Sequence, residues 1–180
     1  MRTTKAGRFS HRVLERTIAF AGVPLLVATL MAGCKCGPEP TRDSGINNMS
    51  KCDPSLWDHT YMSWRLKVIE ECKTVRGIVE GVSLQEDGDY HINLKLDPEF
   101  SNLVNSANIE KQNGALVVEV ICAGPSKGIE GVLSSCACKN YQNKIQLPQV
   151  GTHVEVTGSY VKDRLHGWME IHPITSITVK

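Results

Sequence analysis

Five stretches in the C-terminal part of the chain either alternate apolar and polar residues with a period of two or run apolar with β-branched residues, which is typical of β-strands. The longest stretch, residues 66–82, contains Gly77 and Gly81, where we expect the strand to bend or bulge. A turn signal at residues 86–89 then leads into the strict alternation of residues 90–96, which predicts a hairpin. The other three strands are predicted at residues 115–123, 152–161 and 167–179.

The connections between these strands differ in character. Residues 99–113 are expected to hold a short helix around Phe100 and Leu103, followed by a polar turn. Residues 124–146 are rich in cysteine and turn-forming residues and are predicted as a long loop. Five strands with one helical crossing indicate an all-β domain with a small α contribution, arranged as a small, partly open barrel. An immunoglobulin-like sandwich needs more strands than the pattern contains.

One phrase, residues 147–161, resembles the fourth strand of oligonucleotide/oligosaccharide-binding (OB) folds, in which a glycine turn precedes an alternating strand with a bulge glycine. The resemblance is carried by Gly151, Val154, Val156, Gly158 and Val161. It implies a five-stranded, OB-fold-like, partly open barrel over residues 64–180. In the usual members a helix joins strands three and four, whereas this chain has the cysteine-rich stretch there.

The N-terminus has the organisation of a signal peptide. Five basic residues precede an apolar run over residues 18–31, which is too short for a membrane span of roughly 20 residues. The ending Leu30-Met31-Ala32-Gly33-Cys34 resembles the lipobox of bacterial lipoproteins, although Met31 stands where that family usually has leucine. The resemblance implies cleavage after residue 33 and acylation of Cys34. The alternative is an ordinary secretory signal cut near Ala32 or Gly33, and in either case the protein is exported.

The predicted domain organisation follows from this leader. Residues 1–33 form the lipoprotein signal peptide, residues 34–63 a polar flexible tether rich in proline and glycine, and residues 64–180 the barrel domain. Several acyl chains on Cys34 would anchor the protein to a membrane without a transmembrane helix. Because lysine rather than aspartate follows the cysteine, the lipoprotein resemblance favours the outer over the inner membrane if the source is double-membraned. The expected location is the cell envelope.

The charge of the exported chain argues against a nucleic-acid partner. Loss of residues 1–33 removes five of the 20 basic residues and one of the 19 acidic ones, which leaves a net charge of about −3. No run of five basic residues remains, so the positive surface of a nonspecific nucleic-acid binder is missing. The expected partners are the membrane, through the lipid, and an unknown protein or small ligand.

Cysteines other than Cys34 are disulfide candidates, because an exported protein meets an oxidising compartment. They are Cys36, Cys52, Cys72, Cys122, Cys136 and Cys138. Their connectivity does not follow from the sequence, but a bond from Cys122 to Cys136 or Cys138 would close the long loop. The spacing of Cys136 and Cys138 is not that of a zinc knuckle or a thioredoxin site, so a disulfide is favoured over a metal pair.

The least generic run of the domain is His166-Gly-Trp-Met-Glu-Ile-His-Pro173. As a strand it places Met169 and Ile171 on one face, and it places a second set of side chains on the other. That set is His166, Trp168, Glu170 and His172. A similar phrase, His-Gly-Trp-x-Glu-Ile-His-Pro, ends other uncharacterised bacterial proteins that this region resembles, and the resemblance implies no activity.

Three interpretations of this row are open. The simplest is a solvent-exposed strand face on which Trp168 covers a neighbouring strand. The second is a binding surface formed by the row together with His91, on which an exposed indole stacks a sugar or base. The third is a divalent-metal centre, because Glu170 and His172 lie about 7 Å apart along a strand and both can reach a zinc ion. His91 is the best third ligand and His153 the next, whereas the Asp87-Gly-Asp89 turn is too short for a calcium loop.

The sequence favours a binding module over an enzyme, and it implies no obligatory cofactor. The chain lacks a Gly-x-Ser-x-Gly elbow, a phosphate-binding P-loop and a dinucleotide fingerprint. The leading hypothesis is an exported, lipid-anchored binding or interaction module of the cell envelope. The alternatives are a metal-dependent, phosphodiesterase-like hydrolase that uses His91, Glu170 and His172, and a purely structural envelope protein.

Overall fold

The computed structural model describes residues 51–180, and a β-sheet forms most of this region. Its strands are β1 Leu66–Leu84, β2 Tyr90–Leu96, β3 Leu116–Val120, β4 His153–Asp163 and β5 Met169–Val179. Its α-helices are α1 Ser106–Lys111 and α2 Gly128–Ser134, and its 3₁₀ helices are Pro54–His59, Ser63–Arg65 and Pro98–Leu103. Each of the five predicted strands has a counterpart, with ends shifted by a few residues.

The strands form a ring in the order β1-β2-β3-β5-β4, and β4 pairs with β1 to close it. Neighbouring strands are antiparallel except β3 and β5, which are parallel. In the described residues this junction, here called the β3–β5 seam, has two residue pairs, Val117 with Glu170 and Val118 with Ile171. The arrangement confirms the predicted all-β class and the five-stranded, OB-fold-like, partly open barrel.

Side chains from alternate strand positions fill the interior of the barrel. Ile92 and Leu94 of β2 are fully buried, and Tyr90 and Leu96 pack partly against them, as the alternation predicts. The other strands contribute Val75, Val79, Leu116, Val118, Val120, Val154, Val156, Tyr160, Ile171 and Ile174. Since Val118 and Ile171 point into this core, their sequence neighbours on β3 and β5 point to the outer face of the barrel.

Glycines mark the points where strand pairing is irregular. The β1–β2 register shifts between Val79 and Gly81, and the β4–β5 register shifts on both sides of Gly158. A methyl group at Gly158 would lie 2.5 Å from the backbone oxygen of Pro173. The bulges that the sequence predicts at Gly81 and Gly158 are therefore present, and at Gly158 a close strand contact requires glycine.

The two long connections contain more helix than the sequence suggests. Residues 98–111 form a 3₁₀ helix followed by α1, which begins with a capping box between Asn105 and Asn108. The cysteine-rich connection was expected to be a loop, and this expectation is wrong at α2, where Gly128–Ser134 is helical. Two glycines in this short stretch conceal the helix in the sequence, because glycine disfavours helical backbone.

The predicted tether over residues 34–63 extends too far, because residues 51–63 are folded onto the barrel. Leu56 is buried against Ile121 and Cys122, and the Asp53 backbone N–H donates to Thr175 Oγ1 at 3.0 Å. A disulfide joins Cys52 to Cys72 of β1. Polar composition predicted flexibility here, but a covalent bond and one buried leucine order the segment instead.

A second disulfide joins Cys122 to Cys138, one of the two partners expected for Cys122. It ties the end of β3 to the segment that follows α2, and Cys136 is disulfide-bonded as well. The predicted leader, Cys34, Cys36 and residues 34–50 of the tether lie outside the described residues. In the described part of the chain, no helix combines the length and the apolar character that crossing a bilayer requires.

Candidate functional site

Strand β5 contains the end of the run His-Gly-Trp-Met-Glu-Ile-His-Pro, and its side chains point to the faces that the alternation predicts. Ile171 is in the core, whereas Glu170 and His172 point to the outer face of β5. They are nevertheless buried, at 1% and 0% exposure, so the interpretation as a solvent-exposed strand face is wrong for these two residues. His166 is exposed and Trp168 is partly buried.

Strand pairing brings two more titratable side chains to Glu170 and His172. His91 of β2 is paired directly with Glu119 of β3, and β3 runs beside β5 at the seam. Glu119 is buried at 7% exposure, and the side chain of His91 is 12% exposed. We call Glu119, Glu170, His172 and His91 the carboxylate–imidazole cluster. It spans three adjacent strands on the outer face of the barrel.

The atoms of this cluster lie close together. His172 Nδ1 is 3.3 Å from Glu170 Oε1, and His91 Nδ1 is 3.6 Å from Glu119 Oε1. One ligand-type atom from each of Glu119, Glu170 and His172 lies within 4.8 Å of the other two. Among the described residues, the Nε2 atoms of His91 and His172 are buried without a hydrogen-bond partner.

Trp168 borders the cluster and holds one of its carboxylates. Its indole Nε1 donates to Glu170 Oε2 at 3.0 Å, and its ring stacks on His166 at 4.3 Å between centroids. The rings of Trp168 and His91 also form a T-shaped contact, with 6.0 Å between centroids. One face of the indole is thus covered by an imidazole, and Trp168 as a whole is partly buried.

His166 belongs to a separate polar network at the β4–β5 turn. Its Nδ1 lies 2.8 Å from Asp163 Oδ2, and Asp163 also forms a buried ion pair with Arg65. Backbone N–H groups of Leu165 and His166 donate to Asp163 Oδ1 at 2.7 and 2.9 Å. Burial opposes ionisation of Asp163, but the His166 N–H, the Arg65 charge and the His166 side chain together lower its pKa.

Burial dominates the electrostatics of the carboxylate–imidazole cluster. It raises the pKa of Glu119 well above the ordinary value, and the nearby charge of Glu170 raises it further. Burial lowers the pKa of His91, although Glu170 opposes this effect. Burial together with the charge of Asp87 raises the pKa of Asp89 to about 6. The region therefore holds more carboxylate than its surroundings readily accommodate in the charged form.

The structure places the predicted residues as follows. His91, Trp168, Glu170 and His172 are brought together, and His91 contacts Glu119 while lying outside the three-residue group. His153, the other imidazole considered, pairs with Asp97 at 2.9 Å in a partly exposed charge group away from the cluster. Asp87 and Asp89 form the expected turn, and Asp89 Oδ1 accepts from the Cys122 N–H at 2.6 Å.

Glu119 is the residue that sequence reasoning missed. The signal was present, because Glu119 is the one charged residue within the apolar run of residues 115–123. A second compact group, Asp89 with Cys122 and Cys138, has the composition of a metal site. Its two sulfurs are joined in a disulfide, so they are not thiolate ligands.

Comparison with protein-family models, curated proteins and solved structures finds no match to this chain. What the cluster does must therefore be argued from its own chemistry. Two carboxylates and two imidazoles, buried side by side, are suited to binding a cation or sharing protons. Their burial does not suit them to contact a large substrate.

Proposed function

We propose that this protein is an exported, lipid-anchored interaction module of the cell envelope, with a β-barrel that presents α2 to a protein partner. The observation that carries the proposal is the orientation of α2. Ile129, Val132 and Leu133 lie on one helical face, yet they are 79%, 71% and 57% exposed. The opposite face, with Gly131 and Ser134, is buried against the domain. Three aliphatic side chains turned outward on one short helix favour a protein contact.

The Gly131 face explains why α2 is oriented this way. A methyl group at Gly131 would lie 2.8 Å from the Ser126 carbonyl carbon and 3.1 Å from Glu86 O. Ser134 Oγ donates to the backbone oxygen of Asp87 at 2.8 Å. Only small side chains fit between α2 and the β1–β2 turn, so the larger aliphatic residues of α2 face away from the domain.

Export is supported by the leader and by the disulfides of the domain. Two disulfides, Cys52–Cys72 and Cys122–Cys138, suit an oxidising compartment outside the cytosol. The basic and apolar leader supplies the export signal. The lipobox-like ending at Cys34 supplies the site of lipid attachment. If the source is double-membraned, Lys35 after the cysteine favours the outer membrane.

The anchor is tested by labelling cells with radioactive palmitate. The wild-type protein should incorporate the label and the Cys34→Ala variant should not, whereas equal labelling would refute lipidation. Membrane fractionation on a density gradient tests the destination. The wild-type protein should be found with the outer membrane, and Lys35→Asp should shift it toward the inner membrane.

The partner surface is tested by placing a photo-crosslinking amino acid at Val132 in living cells. A matched control carries the same group at Lys162, which is exposed on β4 on a different part of the domain. Crosslinks to one protein from position 132, lost when Leu133 is also changed to Asp, are expected. Equal crosslinking from both positions, or none from either, would overturn the proposed surface.

A hydrolase built on the carboxylate–imidazole cluster is disfavoured by burial. Catalytic metal sites keep one coordination position open to water and substrate. Glu119, Glu170 and His172 are at most 7% exposed, so a phosphodiester would have no path to them without local opening. The cluster supports a different role, which is argued next.

A further inference from the structure

The carboxylate–imidazole cluster bridges the β3–β5 seam, where few residues are paired. Glu119 comes from β3, and Glu170 and His172 come from β5. We propose that these three side chains bind a divalent transition-metal ion of the zinc class, and that the ion fastens the seam of the barrel. This inference is independent of the lipid anchor and of the partner proposed for α2.

Distances within the cluster are long for direct hydrogen bonds and fit shared coordination of an ion. The contacts from His172 Nδ1 to Glu170 and from His91 Nδ1 to Glu119 are 3.3 and 3.6 Å. An N–H···O bond to a carboxylate is shorter, at about 2.7–2.9 Å. Two ligands that each lie about 2.0–2.1 Å from one tetrahedral ion are separated by roughly 3.3 Å. The 3.3 Å between His172 Nδ1 and Glu170 Oε1 therefore fits two atoms that bind the same ion as well as it fits a long hydrogen bond.

Unpartnered nitrogen atoms are a second, independent indication. His172 is completely buried, and its Nε2 has no hydrogen-bond partner among the described residues. Leaving a buried polar atom unsatisfied is destabilising, and native structures rarely tolerate it without a reason. An ion bound at Nε2 would give this atom the partner it lacks, whereas an ion bound at Nδ1 would replace the long contact to Glu170.

Charge balance points in the same direction. Two buried carboxylates, Glu119 and Glu170, face each other across the seam, and Asp87 and Asp89 add negative potential from the β1–β2 turn. Arg65 is the cation that acts on Glu119, but its guanidinium is bound to Asp163. A divalent cation would stabilise both carboxylates in the charged form, which burial otherwise opposes.

Neighbouring side chains already orient the proposed ligands. Trp168 holds Glu170 Oε2, which leaves Glu170 Oε1 directed at His172. His91 lies against Glu119, where it acts as a positioning residue. Such outer contacts are typical of metal sites, and removing one weakens metal affinity about 10–100-fold. The mixture of imidazole and carboxylate ligands suits zinc better than calcium, which prefers oxygen alone.

The experiment uses the full chain, purified in detergent without chelator, and measures its metal content by elemental analysis. The protein is then unfolded in guanidinium with EDTA under non-reducing conditions and refolded with or without Zn²⁺. We expect about one zinc per chain and a higher Tm for the zinc-refolded protein. Co²⁺ in place of zinc should give visible absorption bands of a low-symmetry site. A folded protein that takes up neither ion, at unchanged Tm, would overturn the proposal.

Variants distinguish a metal site from a cluster that is held together by hydrogen bonds alone. Glu119→Gln should weaken Zn²⁺ binding more than about 100-fold and abolish the zinc-dependent rise in Tm, while removing charge repulsion in the metal-free protein. His91→Gln should retain the site with affinity lowered about 10–100-fold. The control is His153→Gln, which breaks a comparable imidazole–carboxylate pair on the surface and should bind zinc normally. If Glu119→Gln does not fold, Glu170→Gln is measured instead. Zinc binding that survives in the folded ligand variant would refute the assignment.

Discussion

Trp168 donates its indole N–H to Glu170 Oε2 at 3.0 Å, and this bond fixes a carboxylate that has almost no contact with solvent. Trp168→Phe keeps an aromatic ring but removes the donor, so one buried oxygen is left unsatisfied. We expect the free energy of unfolding in urea to fall by about 1–3 kcal/mol. Trp64→Phe is the control, because Trp64 is 64% exposed and should change stability by less than about 0.5 kcal/mol. Equal effects at the two positions would contradict the role given to the indole.

Beside the β3–β5 seam, the side chain of Asn108 makes the backbone hydrogen bonds that a neighbouring strand would otherwise make. Its side chain donates to the backbone oxygens of Ala115 and Met169 and accepts from the Met169 N–H, and it is fully buried. Asn108→Ala should lower the free energy of unfolding by about 2–4 kcal/mol, because several buried backbone groups lose their partner. Hydrogen exchange at the Met169 amide should accelerate. Asn102→Ala, at an exposed position in the same connection, should leave both measurements unchanged.

Asp163 makes folding sensitive to acid. Its pKa is lower in the folded protein than the ordinary value of about 3.9. The stability it contributes is therefore complete above about pH 4 and is lost as pH falls through the lower, folded-state pKa. Asp163→Asn should cost about 3 kcal/mol at pH 7, since Arg65 loses its buried partner. The difference in urea unfolding between the two proteins should narrow as the pH falls below about 4. A constant difference over this range would exclude Asp163 as the titrating group.

Gly158 allows β4 to pass close to β5. An alanine methyl group there would overlap Pro173 O and Ile174 Cα, at 2.5 and 2.7 Å, and neither backbone atom can move aside easily. Gly158→Ala should lower Tm and reduce stability by about 3 kcal/mol. Gly81→Ala is a matched strand control, because its methyl group would meet only Asn93 Cβ, at 3.9 Å. If both variants are equally stable, the bulge at Gly158 does not depend on glycine.

The sequence predicted the strands, the alternation of β5 and the bulge at Gly158 because each depends on local patterns. Glu119 was not assigned to the site because its proximity to Glu170 depends on parallel pairing of β3 and β5, which are far apart in the chain. The burial of Glu170 and His172 was equally hidden, since β5 shows the alternation typical of a half-exposed strand. Residues 51–63 were misjudged because composition does not reveal which cysteines pair.

The Cys52–Cys72 bond has a mechanical consequence. Tension applied to the chain ahead of Lys51 would pass through two sulfur atoms directly into β1. Residues 53–71 would carry none of that load, because the disulfide joins the two ends of this stretch. The first residue pairs between β1 and β4 would therefore not be pulled apart one by one. The barrel domain, when pulled from its N-terminal side, would therefore resist unfolding as a single unit.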